Sequence, residues 1–204
     1  MKKNKKIPVE NYAAGGLLAF VPVYREGGNA CRIFTREGIF EDNRTVRWFL
    51  RRLAAYYGFE PATLRREYAG YLCRSHYISL PLSPRLVLLP LKMRQARIPG
   101  DSTLGYLNAC EIAAVLKEKT EPPFRSSIHF NNGLVLPCLN CAATVRERLL
   151  EAELVLREYC RRQGGKSKGE GMIKPPQFEE EKGGFTCPLK DVLKNLLELV
   201  KKED

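Results

Sequence analysis

Asn43–Tyr57 reads NRTVRWFLRRLAAYY, and the fold turns on how that stretch is read. At about 100° per residue, Val46, Phe49, Leu50, Leu53, Tyr56 and Tyr57 share one face. Arg44, Arg47, Trp48, Arg51 and Arg52 share the other. The pattern predicts a basic amphipathic helix, with Asn43 as its N-cap and Gly58 just past its end. The apolar face needs a protein core. The polar face presents four guanidinium groups and no carboxylate to neutralise them, although mixed signs at i,i+4 stabilise a helix and like charges cost a little. An incoming anion relieves the repulsion between Arg47 and Arg51. The simpler alternative is a solvated arginine face with Trp48 half-buried against a neighbour.

Outward from the helix the charge stays lopsided. The 204 residues carry 34 basic and 23 acidic side chains, for a net charge of +11. Eleven of the basic residues fall between Arg44 and Arg97 against only Glu60 and Glu67, so that segment alone carries +9. Glu170 to Asp204 has six lysines and eight acids, a local charge of −2. Such asymmetry points to nucleic acid or an anionic membrane surface. No apolar run is long enough to span a bilayer, and no membrane partner is expected. The lysine-rich start imitates a signal peptide, but Glu10, Asn11 and Pro22 interrupt it, and no cleavage is expected. Seven irregularly spaced cysteines fit a reducing cytoplasm better than a disulfide framework.

The rest of the chain predicts an α+β fold: a β-rich single domain of antiparallel strands over residues 10–163. A basic flexible arm (1–9) precedes it; a flexible linker (164–184) and a short C-terminal amphipathic helix (185–204) follow. Tyr12–Tyr24 and Ala30–Phe40 read as strands broken by glycines. FEPATLRREYAGYLCR, from Phe59, reads as a turn and a short segment that again sets arginine beside tyrosine. His76–Leu80 and Leu86–Leu91 read as strands joined across Pro81–Pro84, the second buried on both faces. Lys92–Asp101 is a basic loop with Pro99-Gly100 as its turn signal. Leu104–Asn108 is strand-like, whereas Ala109–Thr120 has helical propensity in a position that favours sheet. Asn131-Asn132-Gly133 joins a hairpin of Ser126–Phe130 and Leu134–Pro137. A long helix then runs from an Asn140 cap to Gln163, with Gly164-Gly165 ending it.

The chemistry-bearing residue types do not assemble into a catalytic motif. Cys138-Leu-Asn-Cys141 is the only C-x-x-C, and zinc would need two more ligands. It sits at a strand-to-helix junction without the βαβ context of a redox motif, so it reads as structural. His76 opens an apolar strand and His129 lies beside a hairpin turn, both settings for a hydrogen-bonded structural residue. No phosphate-cradling glycine loop or nucleophile elbow is present, and neither an enzyme nor a cofactor is expected. What remains is arginine interleaved with aromatics. Guanidinium forks suit phosphate oxygens and the negative potential of a narrow minor groove. The expected DNA contacts are Arg44, Arg47, Trp48, Arg51, Arg52, Arg65, Arg66, Arg74, Lys92, Arg94 and Arg97. The helix could lie in a groove, or it could grip the backbone while the Lys92–Asp101 loop reads. The same face would also suit an acidic protein partner or, through stacking, RNA.

The order of several short motifs resembles the competence transcription factor (ComK) family over roughly residues 10–160. The motifs are Tyr56-Tyr57-Gly58, Ala69-Gly70-Tyr71, His76-Tyr-Ile, Leu86-Val-Leu-Leu-Pro90, Arg97…Gly105-Tyr106-Leu107-Asn108 and Phe130-Asn-Asn-Gly133…Leu136-Pro137. That likeness implies a bacterial, cytoplasmic activator of transcription. It would bind paired A/T-rich boxes in double-stranded DNA, mainly through the minor groove, as a homodimer or a dimer of dimers. Arg97…Leu107-Asn108 and Asn132-Gly133…Leu136-Pro137 are more weakly similar to the LytTR DNA-binding domain, which implies strand over Ala109–Thr120. The F-x-x-x-P-like tail by which family members meet a protease adaptor has only Phe185-Thr-Cys-Pro188 as its counterpart. The C-terminal helix is the segment expected to meet RNA polymerase or such an adaptor.

Overall fold

Residues 8–117 and 122–163, which the computed structural model describes, form nine strands and four α-helices in an α+β fold. The strands are β1 (Leu17–Arg25), β2 (Gly28–Thr35), β3 (Ile39–Asp42), β4 (Leu80–Ser83), β5 (Leu86–Lys92), β6 (Leu104–Asn108), β7 (Ile112–Lys117), β8 (Ser126–Phe130) and β9 (Val135–Cys138). The helices are α1 (Val9–Ala14), α2 (Val46–Tyr56), α3 (Pro61–Leu72) and α4 (Ala142–Arg162). The first six strands make one antiparallel sheet in the order β3-β2-β1-β6-β5-β4, and the last three a second, β7-β8-β9.

Alternation of side chains along the large sheet builds two cores. On one face Phe20, Ile33 and Leu88 meet Val46, Phe49, Leu50 and Leu53 of α2, with Leu64 and Tyr68 of α3 and Tyr12 of α1. On the other, Leu18, Val87, Leu89 and Leu107 meet Val115, Ile128 and Leu136 of the small sheet and Val145 and Leu149 of α4. Buried on both faces, β5 can be continuously apolar from Leu86 to Leu91. α4 belongs to both cores. Its last turns place Val155 and Tyr159 in the first one, and the Tyr159 hydroxyl donates to the Leu82 carbonyl on edge strand β4 (3.4 Å). A partner for that carbonyl protects an open sheet edge.

Buried polar groups fix how the strands meet. Asn108 donates through Nδ2 to the carbonyls of Leu17 (3.2 Å) and Arg85 (3.1 Å). Its Oδ1 accepts from the backbone N–H of Val87 and of Cys110, both at 3.3 Å. One side chain thus ties β6 to the start of β1 and to β5. Three residues earlier, at Gly105, the strands leave room for no side chain at all. A Cβ on Gly105 would lie 2.7 Å from Met93 Cγ, 2.9 Å from Val21 Cγ1 and 3.2 Å from the Phe20 carbonyl. Gly105→Ala is expected to destabilise the fold by about 1–3 kcal/mol through overpacking. The measurement is a denaturant midpoint, and trimming Met93 to alanine in the same chain should recover part of the loss.

Several elements differ from the sequence reading. α2 starts two residues later than expected, with Thr45 rather than Asn43 as N-cap, accepting from the Trp48 N–H (3.3 Å). Asp42 is the reason: its carboxylate takes the Arg44 N–H (2.9 Å), so the chain turns before the helix begins. Tyr56 lies exposed, and Ala54 takes its place on the buried face. Val9 is not part of a flexible arm; it opens α1 and is buried. Tyr12 is helical, because six residues before Gly15-Gly16 form one turn that packs its ring on Phe40 and Phe49. The Phe59–Arg74 segment holds a full helix, α3, capped by Glu60 Oε2 on the Thr63 N–H (2.8 Å). Its buried stripe is only Pro61, Leu64 and Tyr68, too thin a periodic signal to stand out.

β4 runs over Leu80–Ser83 rather than His76–Leu80. Tyr77 has φ of 59°, which no strand accommodates, while Pro81 is tolerated on an edge strand. Ala109–Glu111 forms a 3-10 turn and Ile112–Lys117 forms β7, while residues 118–120 of that stretch lie outside the described residues. α4 begins after Cys141, not Asn140, whose side chain instead accepts from the Lys92 N–H (2.8 Å). The linker over 164–184, the helix over 185–204 and residues 1–7 of the arm lie outside the described residues.

Candidate nucleic-acid interface

α2 and α3 lie side by side on the large sheet, and a groove of about 360 Å³ runs between them. Arg47 and Arg51, one turn apart on α2, line it together with Arg65 of α3. Its floor is apolar, with Val46, Leu50, Pro61 and Leu104. Arg65 is held there: its Nη2 donates to the hydroxyl of Tyr106 (3.1 Å), itself buried and stacked on Phe20. Glu60 is the one carboxylate on the lining, and an oxygen of it is engaged by the α3 cap. Arg47, Arg51, Arg52 and Arg66 are exposed, with no ion-pair partner among the described residues. Three guanidinium groups thus line one concavity, and guanidinium forks match phosphate oxygens in geometry and charge.

A second cluster occupies the loop between β5 and β6, residues 93–103. Tyr24, at the end of β1, stacks beneath two guanidinium groups, Arg94 at 3.8 Å and Arg97 at 4.3 Å from its ring centroid. Its hydroxyl donates to Asp101 Oδ2 (2.5 Å) and accepts from the Arg97 N–H (2.7 Å). Asn29 completes the frame, donating to Asp101 Oδ1 (2.9 Å) and accepting from Arg94 Nη2 (2.5 Å). Hydrogen bonds from Tyr24 and Asn29 hold the Asp101 carboxyl below its usual value. Burial lowers Arg94 from its ordinary range. The two clusters meet at Ser102, which lines the groove while its carbonyl accepts from Arg94 Nε (2.8 Å).

Other expected contact residues are occupied within the protein. Arg44 chelates Asp42 through Nε and Nη2 and lies over the Trp48 ring at 3.6 Å. The helix is therefore less uniformly unneutralised than its own sequence suggests, since Asp42 lies just outside the quoted stretch. Trp48 is half-buried against the core of α2, as the simpler reading had it. Arg74 pairs with Glu151 and Glu147 of α4, joining the end of α3 to that helix. Lys92 has an exposed side chain, but its backbone is pinned by Asn140 and by the Leu139 N–H (2.9 Å). Tyr24, Asn29, Asp101 and Tyr106 organise the site and escaped the sequence reading. Each is an ordinary strand or turn residue whose partner lies 41 to 77 residues away.

The C-x-x-C pair supports the same region from below. Cys138 ends β9 with its buried thiol against the Lys92 carbonyl (3.5 Å), and the Asn140 N–H points at its sulfur (3.4 Å). Burial pushes that thiol up. Cys141 is the N-cap of α4, and hydrogen bonding to Thr144 holds its thiol below the usual value. Among the described residues, no group of three or more His, Cys, Asp or Glu side chains is placed to hold a metal ion. His129 lies beside Ser127 Oγ (3.3 Å), and His76 is exposed beside Tyr77. Among the described residues, no helix is long and apolar enough to cross a membrane. No family model matches the chain, and no match to a curated protein or a solved structure is found.

Proposed function

We propose that this chain is a sequence-selective DNA-binding activator of transcription that works in the cytoplasm. One observation carries the reading: Arg47, Arg51 and Arg65 converge on a single groove, with Arg52 and Arg66 exposed on the same helices. The α2–α3 face grips backbone phosphates, which gives affinity and register but no sequence information. The 93–103 loop, with Arg97 exposed and Arg94 bound into its frame, supplies contacts at a groove of the duplex. Preference for A/T-rich boxes, the minor groove and action as a homodimer or dimer of dimers rest on the resemblance of the motif order to that of the competence-factor family.

The test is a competition at fixed salt between A/T-rich duplex, G/C-rich duplex and structured RNA. Tightest retention on an A/T duplex carrying two boxes at fixed spacing is expected. Equal retention on both duplexes would remove the sequence-selective reading, and preference for RNA would replace the duplex with a stacking substrate. Failure to hold any nucleic acid at moderate salt would turn the basic face toward an acidic protein partner.

A further inference from the structure

Ile98 sits at the tip of the 93–103 loop with 65% of its surface exposed, beside Pro99 and a Gly100 whose φ is 92°. A lone exposed apolar residue is ordinary, and so is mobility in a loop of this length. This loop combines the first with bracing against the second. Met93 N–H closes its base on the Thr103 carbonyl (2.9 Å), and Asp101 N–H closes its tip on the Ile98 carbonyl (3.2 Å). Between these, Tyr24 and Asn29 clamp Arg94, Arg97 and Asp101 from β1 and β2. Ile39, comparably exposed, lies on edge strand β3 and has no such setting. Ile98 is held out on a rigid frame with a guanidinium immediately before it.

That combination has a physical match in duplex DNA. A minor groove roughly 6 Å wide excludes a helix but admits a guanidinium and a single apolar side chain. An apolar residue pushed between base pairs unstacks them and bends the duplex, most easily at pyrimidine–purine steps. Unstacking has to be offset by nearby cation–phosphate contacts and by a wedge that does not have to be ordered first. Arg97, exposed over the Tyr24 ring, supplies the cation; the frame of Tyr24, Asn29 and Asp101, with Arg94 bound into it through Asn29 and the Ser102 carbonyl, supplies the order.

Resting on the DNA-binding reading above, we propose that the 93–103 loop is a DNA-bending wedge. Ile98 enters between base pairs from the minor groove, while the exposed Arg97 faces a flanking phosphate. The experiment uses the full chain and a 30-base-pair duplex (about three turns), end-labelled for energy transfer, with a central TA step or a stiff A-tract in its place. The wild-type chain is expected to shorten the end-to-end distance, by a bend of roughly 20–90°. It should also favour the TA duplex about tenfold. Ile98→Ala should straighten the duplex and erase that preference. Because it removes no charge, it should leave the salt slope unchanged, and Ile98→Leu should retain the bend. Ile98 is exposed, so an unchanged denaturant midpoint verifies that the variant is folded. Equal bending by wild type and Ile98→Ala, or wild-type binding to a straight duplex, would overturn the wedge and leave the DNA-binding reading intact. No duplex binding by the wild-type chain at any salt would overturn both.

Discussion

Arg47→Ala combined with Arg51→Ala is expected to weaken binding to every duplex by roughly 30-fold at physiological salt and to cut the salt slope by about two. Each guanidinium on a phosphate releases about 0.9 of a counterion, and the loss is independent of sequence because backbone contacts carry no base information. Stability should move the other way. The two side chains are exposed, repel each other across one turn and have no ion-pair partner among the described residues. Alanine relieves a like-charge pair and raises helix propensity, for a gain of a few tenths of a kcal/mol. A variant that loses DNA while gaining a higher denaturant midpoint separates function from folding. Arg74→Ala is the matched control: its guanidinium is held by Glu151 and Glu147, so its removal should loosen the α3–α4 contact and leave the salt slope alone. An unchanged slope in the double variant would clear Arg47 and Arg51 of any role in phosphate binding.

Asn108→Ala is expected to cost about 3 kcal/mol, a large share of the 5–15 kcal/mol by which domains are usually stable. The side chain satisfies two carbonyls and two N–H groups on three separate segments. Leu17 and Val87 are fully buried, so water cannot replace the amide at either of them. Arg85 and Cys110 lie nearer solvent, which keeps the cost below that of four orphaned groups. A fall in urea midpoint at constant m is the expected signature. A loss under 1 kcal/mol would mean that strand pairing alone fixes the register of β6. Because β6 leads out of the 93–103 loop and carries Tyr106, which positions Arg65, the variant should also bind DNA less tightly at temperatures where it remains folded.

Local pattern alone was enough for the elements whose signal is periodic or whose turn is chemically committed. Val46, Phe49, Leu50 and Leu53 recur at helical spacing, so α2 was legible, as was the longer α4. Asn132-Gly133 marks the β8–β9 hairpin, because Gly133 adopts the positive φ that such a turn requires. The continuous apolar run of β5 announced a strand covered on both faces. Short or thinly striped elements were not legible. α1 has six residues and α3 buries three, so neither shows a period. Tyr77 breaks what otherwise reads as a strand, through a backbone angle that no composition rule forecasts.

The basic segment shows the same division at the level of the site. Its charge, its arginine content and the amphipathic helix at its head were set by the sequence. Which arginines stay available was decided only when the chain folded. Asp42 and Glu151 neutralise Arg44 and Arg74, whereas Tyr106 presents Arg65 to the groove beside Arg47 and Arg51. Tyr24 and Asn29 reach across more than 60 residues to fix Arg94 and Arg97. Residue spacing says which face of its own element a side chain occupies. It cannot say which distant element lies opposite, and the charge left free on a surface depends on that neighbour.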